Sequence, residues 1–349
     1  MHRGEPGITL LSPFKIVFPI TKLSDHSMTK PTLKKMEISG VTPSDPRQRV
    51  WFGLGLAMLG AFLFSFKPIL VKLIYQQEVD TITILTYRMI FALPFYLGVG
   101  IWVLMRGESA HALDHKAIAQ AAVLGVLGYY GAAYCDLYGL QFVSTQLGRM
   151  ILFTYPTLVT ILGWLLLGYS IRRSTFAALF VSYIGIGLIF AHDMQVYGED
   201  VIRGAIWVFI SAVAFSFFLV FSKPLIGQLG SKLFTCVAMG AAAVVVIGHY
   251  VVERVVRLGD AALPSFDALW LILFLAVFST VLPSFFISAA ISRIGASKTS
   301  IAACIGPVMT SALAVFLLEE VFGWYHLSGL ILVLIAVSFV SLQRSEKST

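Results

Sequence analysis

Charged residues and cysteines are scarce in this sequence of 349 residues, and both scarcities restrict the class of protein it can be. Asp, Glu, Lys and Arg together make up 12% of the chain, well below the roughly 25% of a soluble domain. The three cysteines, Cys135, Cys236 and Cys304, lie inside apolar stretches and form no CxxC pair. The sequence therefore predicts neither a disulfide framework nor a cysteine-based metal site, and the cysteines are expected to be small buried hydrophobes.

Signatures of enzymes and nucleotide-binding proteins are also missing. The sequence contains no HExxH, GxSxG or Walker motif, and Asp136 has no second carboxylate at its level to share acid–base chemistry. We therefore expect no enzymatic activity, no cofactor and no metal site. The net charge of +7 is spread over loops and tails rather than concentrated on one face, so we expect no binding to nucleic acid.

Long apolar stretches are what the sequence does contain. Hydrophobic residues make up 58% of it, and the mean hydropathy is +0.86. A helix of about 20 residues crosses a hydrocarbon core about 30 Å thick, and it satisfies its own backbone there. We predict an all-α membrane protein with ten transmembrane helices. Their predicted ranges are 51–75, 82–105, 117–140, 145–168, 174–192, 203–225, 231–256, 268–292, 297–321 and 324–342.

The two ends of the chain differ from the apolar stretches. Residues 1–50 contain six prolines with scattered Lys and Ser, which indicates a disordered cytoplasmic tail. Its apolar run is broken by Pro13 and has no small-residue cleavage site, so a signal peptide is not predicted. Met28 and Met36 stay open as alternative starts. Residues 343–349 are expected to form a short cytoplasmic tail.

Basic residues alternate between the two sides of the predicted bundle. Positively charged loops stay on the cytoplasmic side of a membrane. An inside N-terminus leaves mainly acidic loops outside, so we expect a multi-pass protein of the plasma (inner) membrane with both termini in the cytoplasm. The cytoplasmic basic residues then include Arg106, Arg172, Lys232, Arg293 and Arg344.

Two proline motifs recur in the second part of the chain. Lys67-Pro68 reappears as Lys223-Pro224 after 156 residues, and Pro156 reappears as Pro307 after 151 residues. A difference of five residues in loop length would reconcile the two spacings. Because each repeat then holds five spans, an odd number, the second repeat enters the membrane from the opposite face. Such inverted repeats enclose a central site in many secondary transporters. The predicted repeats are 51–192 and 203–342.

Three segments carry a family resemblance. Thr86-Tyr87-Arg88 places an arginine near the start of the second span, and 147–169 has a mid-helix proline followed by an aliphatic run. The third segment, 306–320, has the same pattern and ends in a glutamate pair. These segments resemble the EamA-like members of the drug/metabolite transporter superfamily. Gly168-Tyr169 departs from that pattern, because the first repeat would be expected to end in its own Glu there.

The resemblance covers residues 51–342 and implies a function. It implies a secondary transporter of a small organic metabolite, most often an exporter, that works by alternating access. The expected partners are the lipid bilayer, the metabolite and, if transport is proton-coupled, protons carried by Asp136 or Glu319. A passive channel or lipid scramblase and an intramembrane enzyme stay open as alternatives, and the sequence leaves the oligomeric state undetermined.

Ionisable residues at membrane depth indicate where the site lies, since a charge at the bilayer centre costs at least about 2.5–3.5 kcal/mol. At about 1.5 Å per residue, Arg88, Asp136 and Arg149 share one depth on consecutive spans. We predict a buried Arg–Asp–Arg cluster. Either Asp136 pairs with an arginine and pins the helices, or the remaining arginine binds a substrate carboxylate or phosphate. The net positive charge favours an anionic or zwitterionic substrate, such as an amino acid or related compound.

Lys67 and two tyrosines are further candidate substrate ligands. Lys67 precedes Pro68, which frees a backbone carbonyl, so the two residues form a polar pocket unless Lys67 extends to the interface. Tyr130 and Tyr134 share one helical face and either contact the substrate or pack against a neighbouring helix.

Two prolines mark candidate gating positions. Pro156 and Pro307 interrupt corresponding helices near mid-membrane, and interrupted helices at matching places indicate a transporter site. Ordinary tolerated kinks are the alternative. Tyr155 and Gly306 precede these prolines and are candidates to line the cavity.

Overall fold

The computed structural model of the protein describes residues 46–106, 114–168, 173–256, 263–303 and 305–345. The described residues form ten membrane helices and short turns, with no strand among them. The helices are α1 (Pro46–Tyr75), α2 (Thr81–Met105), α3 (His115–Leu140), α4 (Thr145–Leu152 and Tyr155–Leu167), α5 (Arg173–Tyr197), α6 (Asp200–Leu229), α7 (Ser231–Val256), α8 (Phe266–Ala276, Val277–Val281 and Leu282–Ala303), α9 (Ile305–Leu318) and α10 (Trp324–Ser345).

The predicted all-α fold with ten membrane helices in two five-helix repeats is confirmed. The first eight helices are long and apolar enough to cross a membrane, and α9 and α10 carry shorter apolar segments, Ile305–Leu318 and Trp324–Phe339. Helices α1–α5 form the first repeat and α6–α10 the second. The turns that follow α1, α3, α5 and α9 lie opposite the start of α1, at what we call the distal end.

Several predicted boundaries differ from the structure; α9, for example, begins at Ile305 and not at 297. Helix α1 begins at Pro46, inside the tail predicted for 1–50, because proline suits the first helical turn, where its missing N–H needs no partner. Residues 1–45 lie outside the described part. Helix α8 continues to Ala303, past its predicted end at 292, because no proline interrupts the polar residues that follow. Helix α10 extends to Ser345, and the rest of the predicted C-terminal tail lies outside the described residues.

Side-chain caps fix the starts of helices at the distal end. Asp80 accepts a hydrogen bond from the Thr83 amide at 2.8 Å before α2, and Ser144 accepts one from the Leu147 amide at 3.0 Å before α4. Such caps satisfy amides that have no partner within the helix. Short capped turns therefore keep sequential helices antiparallel.

Helix packing follows a pseudo-twofold relation between the repeats. Helix α1 packs against α8, and its counterpart α6 packs against α3; α2 packs on α7, and α5 on α10. At the α5–α10 crossing, a Cβ on Gly185 would lie 2.7 Å from the Gly329 carbonyl oxygen, and one on Gly329 would lie 2.5 Å from that of Gly185. Both positions therefore require glycine, as is common where membrane helices approach closely.

Two π-helical turns occupy equivalent places in the repeats. One is Val126–Gly131 in α3, and the other is Val277–Val281 in α8. Their starts are 151 residues apart (277 − 126). A π turn inserts a residue into an α-helix and is frequent at functional sites. The shared position shows that the helix irregularity belongs to the repeat and not to one copy of it.

Candidate functional site

Both prolines that the sequence singles out lie at the start of a helical segment. Helix α4 is interrupted at Phe153 and Thr154, and its second segment begins at Tyr155 with Pro156 next. Helix α9 begins at Ile305, so Pro307 lies in its first turn. Proline is well placed there because the first amides of a helix have no intrahelical partner. Pro156 therefore follows a break within α4, and Pro307 follows the corresponding boundary between α8 and α9.

Each interruption is linked to the other repeat by a buried serine. Ser65 Oγ of α1 lies 3.0 Å from the Gly306 carbonyl oxygen, and Ser216 Oγ of α6 lies 3.3 Å from the Tyr155 carbonyl oxygen. Each hydroxyl is also within hydrogen-bond distance of the carbonyl four residues back in its own helix, at 2.7 Å from Ala61 and 2.6 Å from Ala212, so its single hydrogen is shared between two acceptors. The two serines are 151 residues apart (216 − 65), and so are the two acceptors (306 − 155). Each serine therefore contacts the carbonyl that precedes a proline, and the two contacts join the repeats at equivalent positions.

The spacing of 151 residues corrects one equivalence drawn from the sequence. With that spacing, Lys67 corresponds to Phe218, and Lys223 corresponds to Lys72. The recurrence of Lys-Pro after 156 residues therefore does not relate equivalent positions. Lys223 is exposed in α6, whereas Lys67 is largely buried in α1.

Asp136 forms its ion pair with Lys67. The predicted pairing of Asp136 with an arginine is therefore wrong. Lys67 Nζ lies 2.6 Å from Asp136 Oδ2, and the two side chains are only 11% and 13% exposed. A depth count along single helices gives no direction around the helix, so it did not show that α1 turns Lys67 towards Asp136. Lys67 therefore turns into the bundle instead of extending to the interface.

The two arginines lie beside this ion pair. Arg88 is 4% exposed, and among the residues that the structure describes its Nε has no hydrogen-bond partner. Within the same described ranges, Nε of Arg149 is buried and unpartnered too. The Arg149 guanidinium lies 5.2 Å from the ring centre of Phe64, and a Cβ on Gly306 would lie 3.1 Å from its Nη2. Gly306 thus leaves room for Arg149.

One pocket joins most of these groups, and we call it the charged pocket. It lies between α1, α3 and α4, with an empty volume of about 290 Å³ that includes its opening. Its interior has room for about one water molecule. All of its lining residues belong to the first repeat. They are Lys67, Pro68, Asp136, Leu140, Gly148, Arg149 and Leu152.

The candidate tyrosines lie outside the lining of the charged pocket. Tyr130 is in the π turn of α3, and its hydroxyl is 2.7 Å from His249 Nδ1 of α7. The rings of Tyr134 and Tyr138 are stacked with centres 6.1 Å apart, and Tyr138 receives a hydrogen bond from Arg203. Tyr130 and Tyr134 are both half-buried and form an aromatic wall towards the distal end.

The residues before the prolines, Tyr155 and Gly306, pack against neighbouring helices and contribute backbone acceptors. The ring of Tyr155 packs edge-on against Phe153 and Phe215, with centres 6.0 and 5.4 Å away. Gly306 contacts Arg149 and accepts the bond from Ser65. Neither Tyr155 nor Gly306 is among the residues that line the charged pocket.

The glutamate pair after α9 divides into one exposed and one inward side chain. Glu319 has a left-handed φ of 54° and is exposed. The Glu320 amide then bonds back to the Ala314 carbonyl at 3.2 Å, a closure typical of helix C-termini. Glu320 Oε1 accepts from the Thr145 amide at 2.8 Å and lies 3.9 Å from Lys72 Nζ. Sequence reasoning missed Glu320 and Lys72, because the order of two adjacent acids does not indicate which one turns inward.

Comparison with known proteins agrees with this architecture. The EamA-like transporter family matches residues 51–191 and again residues 202–342. The second match starts 151 residues after the first (202 − 51). A crystal structure covering 85% of this chain and 99% of its own superposes with a TM-score of 0.57 at 15% identity, which shows a shared fold.

Two proteins of Bacillus subtilis (strain 168) are similar in sequence. The uncharacterized transporter YcbK is 25% identical over 287 residues, 78% of this chain and 87% of its own. The uncharacterized transporter YyaM is 25% identical over 247 residues, 68% of this chain and 77% of its own. The fold and these matches define a multi-pass membrane transporter. The chain belongs to the EamA-like transporter family.

Proposed function

We propose that the protein is a secondary transporter that exports a small organic anion or zwitterion, such as an amino acid or related compound, by alternating access. The observation that supports this proposal is the charge of the buried cluster. Asp136 is already neutralised by Lys67 at 2.6 Å. Arg88 remains as a buried cation and Arg149 as a partly buried one, and the Nε atom of each is buried and lacks a partner in the described part of the chain.

An uncompensated buried charge strongly destabilises a protein. An anionic group of the substrate would compensate the guanidinium groups, and a carboxylate can accept two parallel hydrogen bonds from one of them. Arg149 lines the charged pocket and is the primary candidate for that contact. Arg88 then adds a long-range attraction, and the aromatic wall of Tyr130 and Tyr134 would guide the organic part.

The repeat architecture supports alternating access. Inverted repeats rock about a fixed central site, and here the serine bonds Ser65–Gly306 and Ser216–Tyr155 connect the repeats at equivalent interruptions. The alternation of basic loops supports a cytoplasmic position for both termini. The distal end then faces away from the cytoplasm and would be the exit side for an exported solute.

The acidic residues Asp136 and Glu319 are the candidates for coupling transport to a proton gradient. No Walker sequence is present, which favours downhill or ion-coupled transport. Protonation of Asp136 would break its pair with Lys67 and change the charge of the pocket, so Asp136 is a candidate proton carrier. Glu319 is the second candidate. Counterflow that is the same with and without an imposed pH gradient would exclude proton coupling.

Ligand screening on the purified protein tests the substrate class. A ligand that binds the folded protein raises its melting temperature by mass action. We expect stabilisation by amino acids or related acids, and none by matched amides that lack the carboxylate. Stabilisation by the amides alone would contradict an anion-binding site.

Counterflow in proteoliposomes then tests the mechanism. A carrier gives saturable uptake that an unlabelled solute accelerates from the opposite side. An unsaturable leak would instead indicate a passive channel, and exchange of labelled lipid between leaflets would indicate a scramblase. Hydrolysis of a lipid substrate would be required for the intramembrane enzyme.

A further inference from the structure

Two histidines and an aspartate meet at the distal end, away from the charged pocket. His192 and Asp193 lie near the end of α5, and His326 lies in the first turn of α10. One potential ligand atom from each residue lies within 4.8 Å of the other two. Asp193 and His326 are buried, whereas the His192 side chain is 19% exposed, so the group can be reached from the surface.

Two donor atoms in this group are buried without a hydrogen-bond partner. Asp193 is 1% exposed, and its Oδ1 has no partner in the part of the chain that the structure describes. His192 Nδ1 is likewise unpartnered there, and it lies 3.8 Å from Asp193 Oδ1. A buried polar atom in a native protein is normally satisfied, so these two atoms point to a missing ligand.

The second oxygen of Asp193 is held by the backbone. Asp193 Oδ2 accepts a hydrogen bond from the Ser144 amide at 3.0 Å. The His192 ring packs edge-on against the His326 ring with centres 4.7 Å apart, and Phe322 stacks on His326 at 5.8 Å. Metal-binding carboxylates and imidazoles are usually oriented by such outer contacts. The carboxylate is therefore fixed with one oxygen left for a ligand.

We infer that His192, Asp193 and His326 form a binding site for a divalent transition-metal ion such as Zn²⁺. Two imidazoles and one carboxylate are a common donor set for zinc and neighbouring metals. Ligands about 2.0–2.1 Å from a tetrahedral ion lie about 3.3 Å from one another. Small side-chain rotations would bring the three donors from their present separations to that distance, and water would complete the coordination.

Metal binding would change the turn between α9 and α10. His326 Nδ1 accepts a hydrogen bond from the Gly323 amide at 3.1 Å, so the neutral ring carries its proton on Nε2. A metal on Nδ1 replaces that bond directly. A metal on Nε2 moves the proton to Nδ1, which can then no longer accept. Binding through either nitrogen therefore releases the Gly323 amide.

The site belongs to one end of the molecule only. At a spacing of 151 residues, its three residues correspond in sequence to Gln343, Arg344 and Thr175, which do not make a metal-binding set. The donors His192 and His326 are also far apart in the chain, so a search for short motifs does not find them. The expectation that the protein lacks a metal site rested on such motifs.

Metal titration of the intact protein, purified with a tag free of histidine, tests the inference. We expect Zn²⁺ and Co²⁺ to raise the melting temperature and Mg²⁺ to have no effect. Co²⁺ should also give the visible absorption of a low-coordinate site, and Zn²⁺ should displace it. Absence of this absorption in the wild-type protein would overturn the inference without reference to any variant.

Three variants locate the ion. His192→Gln, Asp193→Asn and His326→Gln should each lose the metal-dependent rise, while His249→Gln, which alters a histidine bonded to Tyr130, should keep it. A rise that persists in the site variants would mean that the ion binds elsewhere and would also overturn the inference. Hydrogen exchange provides a further readout, because the peptide containing Gly323 should exchange faster with Zn²⁺ bound. These measurements do not depend on transport.

Discussion

The two repeats share a backbone design but differ in charge. Both have a π turn in the third helix, a proline at the start of an interrupted helix and a serine that bonds the other repeat's interruption. The four ionisable residues at and beside the charged pocket have no ionisable counterpart in the second repeat. Lys67, Arg88, Asp136 and Arg149 correspond to Phe218, Met239, Ile287 and Ser300.

This difference separates two tasks of the fold. Under the proposed alternating access, the paired irregularities are present twice because both repeats must move in an equivalent way for each side of the membrane to open. The charges are present once, which agrees with the proposal of a single substrate held by one set of ligands. The proposed binding site is therefore displaced from the pseudo-twofold axis into the first repeat, where α1, α3 and α4 line the charged pocket.

The largest effect is expected from removing the only acid of the cluster. In Asp136→Asn, Lys67 stays buried beside two arginines without its partner, which costs roughly 3–5 kcal/mol of folding stability. The neutral pair Lys67→Met with Asp136→Leu should regain most of that loss. Melting temperatures in detergent measure both. A single variant as stable as the wild type would show that the ion pair does not hold the first repeat together.

Loss of an arginine should mainly affect binding. Charge-assisted hydrogen bonds contribute about 1.5–3 kcal/mol, so Arg149→Gln should weaken the binding of an identified anionic substrate about 10- to 100-fold. Arg293→Gln, an exposed position in the second repeat, is the matched control and should bind normally. Equal affinities of the two variants would remove the charge difference between repeats as an explanation of function.

Helix spacing offers a comparison at one pair of equivalent positions. A Cβ on Gly125 would lie 2.2 Å from the Ala238 carbonyl oxygen, and its counterpart Ala276 is already an alanine. Gly125→Ala should destabilise the protein by about 1–3 kcal/mol through overpacking. Ala276→Gly should lower stability by about 0.5–1 kcal/mol through helix propensity alone. Thermal unfolding that ranks the two variants in the opposite order would contradict this difference in packing.

The smallest effects should be equal in the two repeats. Ser65→Ala and Ser216→Ala each remove one buried hydroxyl that bonds a carbonyl of the other repeat. Each substitution should cost about 0.5–1.5 kcal/mol, measured as a shift in melting temperature. A large inequality between them would show that the two interruptions are not mechanically equivalent.

Hydropathy and spacing predicted the helices, their number and the repeats, because lipid allows few alternatives to a membrane helix. Depth counts placed Arg88, Asp136 and Arg149 at one level, but a count along a helix gives height and not direction. The Lys67–Asp136 pair was missed for that reason. The direction in which a residue faces is also what separates the glycines of α3. A Cβ added to Gly125 or Gly128 would lie within 2.5 Å of a neighbouring helix, whereas one added to Gly131 would not.

The break in α4 leaves an eight-residue first segment, Thr145–Leu152, which contacts α9 or the turn that follows it at two places. Glu320, just after α9, holds the Thr145 amide, and Gly306, near the start of α9, lies against Arg149. Tilting of α9 would therefore break the hydrogen bond between Glu320 and the Thr145 amide and, in the same movement, draw Gly306 away from Arg149. In the proposed transport cycle, release of the solute and opening of the exit would then occur together, with no intermediate in which an open exit faces the complete proposed anion site.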